Sequence, residues 1–293
     1  MKKKSGHRRR TKVVHRSRKN VRRTVKRKSV GKGRRRPTRR YSRVQRGGID
    51  MKLLKSSVNS VCFSPDSKSI AVGSDDRYLR VFNVDSGKEI IRSVMYDDVS
   101  SVSFSTDNNN IAIGAKNFLW IFDIDNVRDT MENESLSNYY LLVGRGIGNP
   151  GSNVKSVCFS PDGKTIAAGS SDMFLRVFDA GKGEQILEPI AHEGIVKSVC
   201  FSPDGKSIAT GSYDKFLRVF DAGNGKQILE PIKHEGMIMS VCFSPDGKSI
   251  ATGSSDTFLR VFGVESRNET FKTKHEGIVN SVCFSPDGKS IAT

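Results

Sequence analysis

VKSVCFSPDGKTIAAGSSDMFLRVFDAGKGEQILEPI, residues 154–190, returns at 196–232 as VKSVCFSPDGKSIATGSYDKFLRVFDAGNGKQILEPI, with six of 37 positions changed. The leading branched residue of this unit falls at Val58, Val99, Val154, Val196, Ile238 and Val279, at spacings of 41, 55, 42, 42 and 41. Self-similarity at such a period is the signature of a repeat architecture. Within one unit, Val157 and Phe159 alternate with Ser156 and Cys158, and Pro161-Asp162-Gly163 supplies turn chemistry. TIAAGSSD reads as a short strand ending in Gly-Ser-x-Asp. FLRVFDAGKG reads as a third strand closed by Asp and two glycines, and EQILEPI as a weaker fourth. A single four-stranded sheet cannot bury both faces, whereas sheets stacked face to face around an axis can. The expected fold class is therefore all-β, a β-propeller of four-stranded blades with five complete repeats and a partial sixth.

Several features make the chain resemble the WD-repeat β-propeller family over about residues 50–293. They are a His before the first strand (His192, His234, His275), the SPDG turn, and a Gly-Ser-x-Asp turn carrying Asp76, Asp172, Asp214 and Asp256. A terminal dipeptide, here Phe-Asp at Phe178-Asp179 and Phe220-Asp221, completes the match. The family's Trp is Phe in every copy and cannot donate a hydrogen bond. The resemblance implies a structural network of His192, Thr210 and Asp214 packed beside Phe220, and it makes His234, Asp256, Asp172 and Asp76 structural in the same way. The second unit departs furthest. It has Asp107-Asn108-Asn109 at the first turn, Lys116-Asn117 where the Asp belongs, and Trp120 where the others carry Arg. About 14 extra residues within Asn126–Gly151 read as a long surface loop. Repeats are placed near 58–98, 99–153, 154–195, 196–237, 238–278 and 279–293, the last stopping midway. Because the N-terminal strand of such propellers usually completes the last blade, Asp50–Leu54 is the expected outer strand. The ring is expected to have six blades with a defective last one.

Composition divides the chain in two. There are 49 Lys+Arg against 31 Asp+Glu, yet residues 1–48 hold 23 of the bases and no acid, leaving 49–293 with a net charge of −5. The longest apolar runs, such as Phe118–Phe122, fall far short of the roughly 20 residues of a membrane span. No apolar segment follows the basic start, so a secretory signal is not expected. The cysteines Cys62, Cys158, Cys200, Cys242 and Cys283 take the same place in successive units. They read as small hydrophobes between blades rather than a metal site, and as unpaired thiols of a reducing compartment. The recurring His–Asp pairs come without a nucleophile in a distinctive context. No phosphate loop or metal-ligand spacing occurs, and no catalysis, cofactor or metal is expected. The arginines Arg80, Arg176, Arg218 and Arg260 read as buried stems with solvated or paired heads.

Near-identical copies differ beside the turn Asp (Asp75, Ser171, Tyr213, Ser255), two residues later (Arg77, Met173, Lys215, Thr257), and in the lead-in to the first strand. In propellers of this resemblance those loops share the top face, where partners dock. Tyr213, Lys197, Lys155, Met237, Met239 and Lys215 are the expected protein-interaction residues, since Met and aromatic side chains suit interface cores. The arm, residues 1–48, carries Lys2, Lys3, Lys4, Arg8, Arg9, Arg10, Arg22, Arg23, Lys26, Arg27, Lys28, Arg34, Arg35, Arg36, Arg39 and Arg40. Low hydrophobicity and like charge predict disorder. Its expected roles are nuclear or nucleolar import and sequence-nonspecific nucleic-acid binding. The sequence thus predicts a non-catalytic scaffold for other proteins with a basic arm, residing in the nucleus or nucleolus, with cytoplasm or virion association as alternatives. The rival function is nucleic-acid packaging on chromatin or in a virus particle, with the propeller as an assembly module.

Overall fold

The computed structural model describes residues 56–124, 144–147 and 152–293. The chain divides into two units, Met1–Val44 and Gln45–Thr293. The basic arm and the expected outer strand Asp50–Leu54 lie outside the described residues. Every regular element described is a β-strand.

The SPDG turn shows how sequence becomes hairpin. Ser160 Oγ donates to Asp162 Oδ1 (2.6 Å), and that carboxylate accepts the Lys164 N–H (3.1 Å). Ser160 Oγ also accepts the Thr165 N–H, while Gly163 takes φ +70°, a conformation that glycine adopts without strain. In the second turn Asp172 Oδ1 accepts the Phe174 N–H, and the next position is left-handed in every complete blade, occupied by Arg77, Asn117, Met173, Lys215 or Thr257. These two turns join Val154–Phe159, Thr165–Ser170 and Phe174–Asp179 into one antiparallel ladder.

Five four-stranded sheets form in this way, each with its strands in sequence order, followed by a two-stranded sixth, Cys283–Phe284 with Ile291–Ala292. The first strands lie against one another in succession. Apolar burial occurs between blades rather than in one central core. Ala112, Leu119 and Ile121 of the second blade meet Val154, Val157 and Phe159 of the third, and equivalent clusters recur at each junction. The Gly-Ser motif belongs to this packing, because a Cβ on Gly211 would stand 2.5 Å from Ile238 Cγ2 of the next blade. Hydrogen bonds stitch the first strands together. Ser156 Oγ accepts the Val199 N–H (3.1 Å) and Ser198 Oγ the Val241 N–H (3.0 Å), and Ser60, Ser101 and Ser240 do the same. These serines are the polar half of the SVCF alternation, so both faces of the strand bind the neighbouring blade.

Four expectations need correction. EQILEPI is only partly the fourth strand: it touches the third strand at a bridge between Gln185 and Phe178 and pairs again from Ile190. In the third and fourth blades that strand shrinks to Ile190–Ala191 and Ile232–Lys233, because Pro189 and Pro231 remove a donor just upstream. By contrast, the first and fifth blades keep six-residue outer strands, Glu89–Val94 and Glu269–Lys274. While residues 125–143 and 148–151 lie outside the described residues, part of the stretch read as a surface loop is a strand, Gly144–Ile147 pairing with Leu119–Phe122. Its glycines hide the alternation by which strands are recognised, although Ile147 is fully buried. The cysteines are half-buried rather than interior, with Cys283 exposed, since they share the Ser face of the strand. Finally, occupying one blade each does not keep them far apart, because the first strands converge and the thiols of Cys158, Cys200, Cys242 and Cys283 are close enough to perturb one another. Each donates its hydrogen bond to the carbonyl of the following Phe, as Cys200 Sγ does to Phe201 O (3.4 Å).

The first blade shows an open face. Val58, Val61 and Phe63 are 37%, 53% and 58% exposed, whereas their counterparts Val196, Val199 and Phe201 are buried.

Candidate protein-interaction face

The two variable loops are tied together by their backbones. The Tyr213 N–H donates to Ile195 O (2.9 Å), Ser255 to Met237 O (2.9 Å), Ser171 to Asn153 O (3.1 Å) and Asp75 to Ser57 O (3.0 Å). In the first, third, fourth and fifth blades the lead-in to the first strand and the second turn therefore form one surface unit. Tyr213 is half-buried on the fourth blade, and Lys215 is exposed beside it with φ +75°. Lys155 and Lys197 lie on adjacent first strands, both half-buried. Burial, and then the Lys155 charge, push the Lys197 ammonium below its ordinary value. On the fifth blade Met237 is exposed and Met239 half-buried.

The frame beneath these loops differs in one respect from the expected network. His192 Nδ1–H donates to Ile190 O (3.2 Å), and Nε2 accepts from Thr210 Oγ1 (2.9 Å). The ring packs 5.6 Å from that of Phe220. His234, Thr252 and Phe262 repeat this arrangement. Burial, then the nearby Arg218 and Arg260 charges, push both imidazoles down to about 4. The turn carboxylates, however, pair with arginine rather than histidine: Asp214 with Arg218 (2.7 Å), Asp76 with Arg80 (2.7 Å), Asp172 with Arg176 (2.8 Å) and Asp256 with Arg260 (2.9 Å). Position i+4 across the tight turn puts the guanidinium directly over the carboxylate, and Asp214 reaches the histidine loop only through the Glu193 N–H (3.2 Å). Burial pushes the Asp172 carboxyl up, but the Arg176 hydrogen bond and charge outweigh it and hold the group below the usual range. Each arginine also stacks over the aromatic ring two residues earlier, at 4.7–5.1 Å.

The second blade replaces this arrangement with aromatic rings. Tyr96 from the lead-in, Phe118 at the start of the third strand and Trp120 in the arginine position have centroids 6.2–6.5 Å apart. Tyr96 is 67% exposed and Phe118 41% exposed. Trp120 as a departure was visible in the sequence. Tyr96, however, lies in a different loop, and only the folded blade brings it to the other two rings. Among the described residues no group of three or more His, Cys, Asp or Glu is placed to hold a metal ion, and no helix is long and apolar enough to cross a membrane.

The family model of the WD domain, G-beta repeat, matches residues 51–83, 143–179, 183–221, 225–262 and 267–293. The chain belongs to the WD40-repeat family. Each of the middle matches starts in the outer segment of one blade and ends in the third strand of the next, so the WD40 sequence repeat is offset from the sheet. The first three strands of the second blade are left unmatched, where Trp120 and the shortened turn break the pattern. A solved structure described as "Crystal Structure of Mitotic Checkpoint Complex" is similar in fold, with a TM-score of 0.69 and 20% identity over 80% of this chain and 71% of that chain. Because 1871 solved chains match, that likeness concerns the WD40 fold and singles out no activity. No curated protein matches the chain. WD40 propellers typically serve as non-catalytic interaction scaffolds, and these repeats support such a role here.

Proposed function

We propose that this WD40 protein is a non-catalytic scaffold that recruits protein partners through the top loops of its blades, while the basic arm directs it to the nucleus and to nucleic acid. One observation carries the reading: two of the places where near-identical repeats differ, the lead-in to the first strand and the second turn, are tied by the backbone into one surface unit on the first, third, fourth and fifth blades. On this reading Tyr213, Met237 and Met239 supply apolar contact area and Lys155, Lys197 and Lys215 its polar rim, the composition favoured at interfaces. The arm has no acid and little aromatic content, so it binds polyanions by releasing their counterions, without reading bases.

The test is affinity capture of the tagged full chain, with and without nuclease, beside two variants. Combined Tyr213→Ala and Met237→Ala is expected to lose nuclease-resistant protein partners. Replacing the basic clusters of 1–48 by Gln is expected to lose RNA and DNA while keeping those partners. If about 8 arm charges meet phosphates, log K falls with log salt at a slope near −7. The 23 unopposed bases favour one rival reading, nucleic-acid packaging. Stoichiometric compaction of DNA with no protein partner captured under any condition would establish that alternative.

A further inference from the structure

Within the scaffold reading, the aromatic cluster of the second blade specifies a chemistry of its own. Four blades carry an internal cation over an aromatic ring, with Asp as its counter-ion. The second blade keeps the ring, as Phe118, but has Trp120 for the arginine, and its shortened turn has no Asp. Tyr96 adds a third ring. The residue facing Trp120 across the ladder is Gly146, where the first and fifth blades have Arg92 and Lys272. No described atom lies within 4 Å of where a Cβ on Gly146 would stand. Among the described residues, no side chain from the facing strand covers the indole as Arg92 and Lys272 can cover their partners, and two exposed rings stand beside it.

We infer that Tyr96, Phe118 and Trp120 bind the methylated ammonium head of a modified lysine presented by a protein partner. A cation over the middle of this triangle lies within the roughly 6 Å at which each ring attracts it. The absent carboxylate decides among cations. A guanidinium or bare ammonium entering here would lack the turn carboxylate that pairs with Arg80 or Arg218 in its own blade, and its N–H groups would meet ring faces instead. A trimethylated ammonium has no N–H to satisfy and meets ring faces on its methyl surface. Asp97 and Asp98 follow Tyr96 directly in the chain and favour a basic peptide over the phosphate of a choline headgroup.

Trp120 is the only tryptophan of the chain, so its fluorescence reports the site directly in the full-length protein. The probes are N-acetyl trimethyl-lysine amide, the unmodified lysine amide, the neutral tert-butyl isostere of the trimethylated side chain, and phosphocholine. The expected result is a saturable emission change with trimethyl-lysine, at least about tenfold tighter than with lysine or the neutral isostere. Tyr96→Ala and Phe118→Ala should each weaken it several-fold. Tyr96 is exposed enough that its removal leaves the fold intact, which an unchanged melting curve verifies. No saturable change, or equal binding of the neutral isostere, overturns the inference; tighter binding of phosphocholine overturns the lysine assignment. Because these probes involve no captured partner, their failure leaves the scaffold reading standing, and failure of the capture experiment leaves the site standing.

Discussion

His192 and His234 are neutral because the blades enclose them, and that state carries a pH signature. An unfolded histidine titrates near 6.5, whereas these two are held down to about 4 by burial and the adjacent arginines. The unfolded chain therefore takes up protons first as pH falls. Stability is complete above about pH 6.5 and declines progressively toward pH 4, by at most on the order of 3 kcal/mol per histidine. Urea titrations across that window should show the decline, and the combined His192→Gln and His234→Gln variant should flatten it. A decline of undiminished slope in the variant would place its origin elsewhere. The depressed carboxylates Asp76, Asp172 and Asp256 act in the same direction, but only below the ordinary carboxylate range.

At the scale of the element, the second turn and third strand form a unit in which Asp and Arg have meaning only together. Arg218 is mostly buried and Asp214 almost wholly so. Asp214→Asn leaves a guanidinium without its counter-ion and is expected to cost about 3–5 kcal/mol in urea denaturation. Adding Arg218→Leu should recover at least about 1 kcal/mol of that loss, because the stranded charge is then removed as well. A double variant as unstable as the sum of the singles would disprove the coupling. The second blade already embodies the paired loss, with Trp120 and a turn lacking Asp. The repeat pattern made this pairing half-legible. Strand alternation puts Arg218 beside the phenylalanines, but the i+4 reach over a left-handed residue is a property of the folded turn, and the spacing of the repeat alone does not distinguish arginine from histidine as the partner of Asp214.

On the scale of the whole molecule, repetition assigns identical apolar residues to unequal surroundings. Val61 and Phe63 repeat the residues that bury every other junction, yet they stand exposed on the first blade. Exposed apolar faces of this kind promote association. Sedimentation velocity over a concentration series is expected to show self-association, and Phe63→Ser should reduce it with little loss of melting temperature. An unchanged distribution would show that the face is not the adhesive surface.

The sequence alone determined the blade count, the turn chemistry and the separation of a basic arm from an acidic-to-neutral repeat domain. These follow from short-range rules of alternation, turn residues and charge, and near-copies state them several times over. Only the tertiary structure decided which partner each polar group takes, that Gly144–Ile147 is a strand, that the cysteines of successive blades come near one another, and that Tyr96 joins Phe118 and Trp120. Each of these depends on distances between segments remote in the chain, which are set when one blade packs against the next.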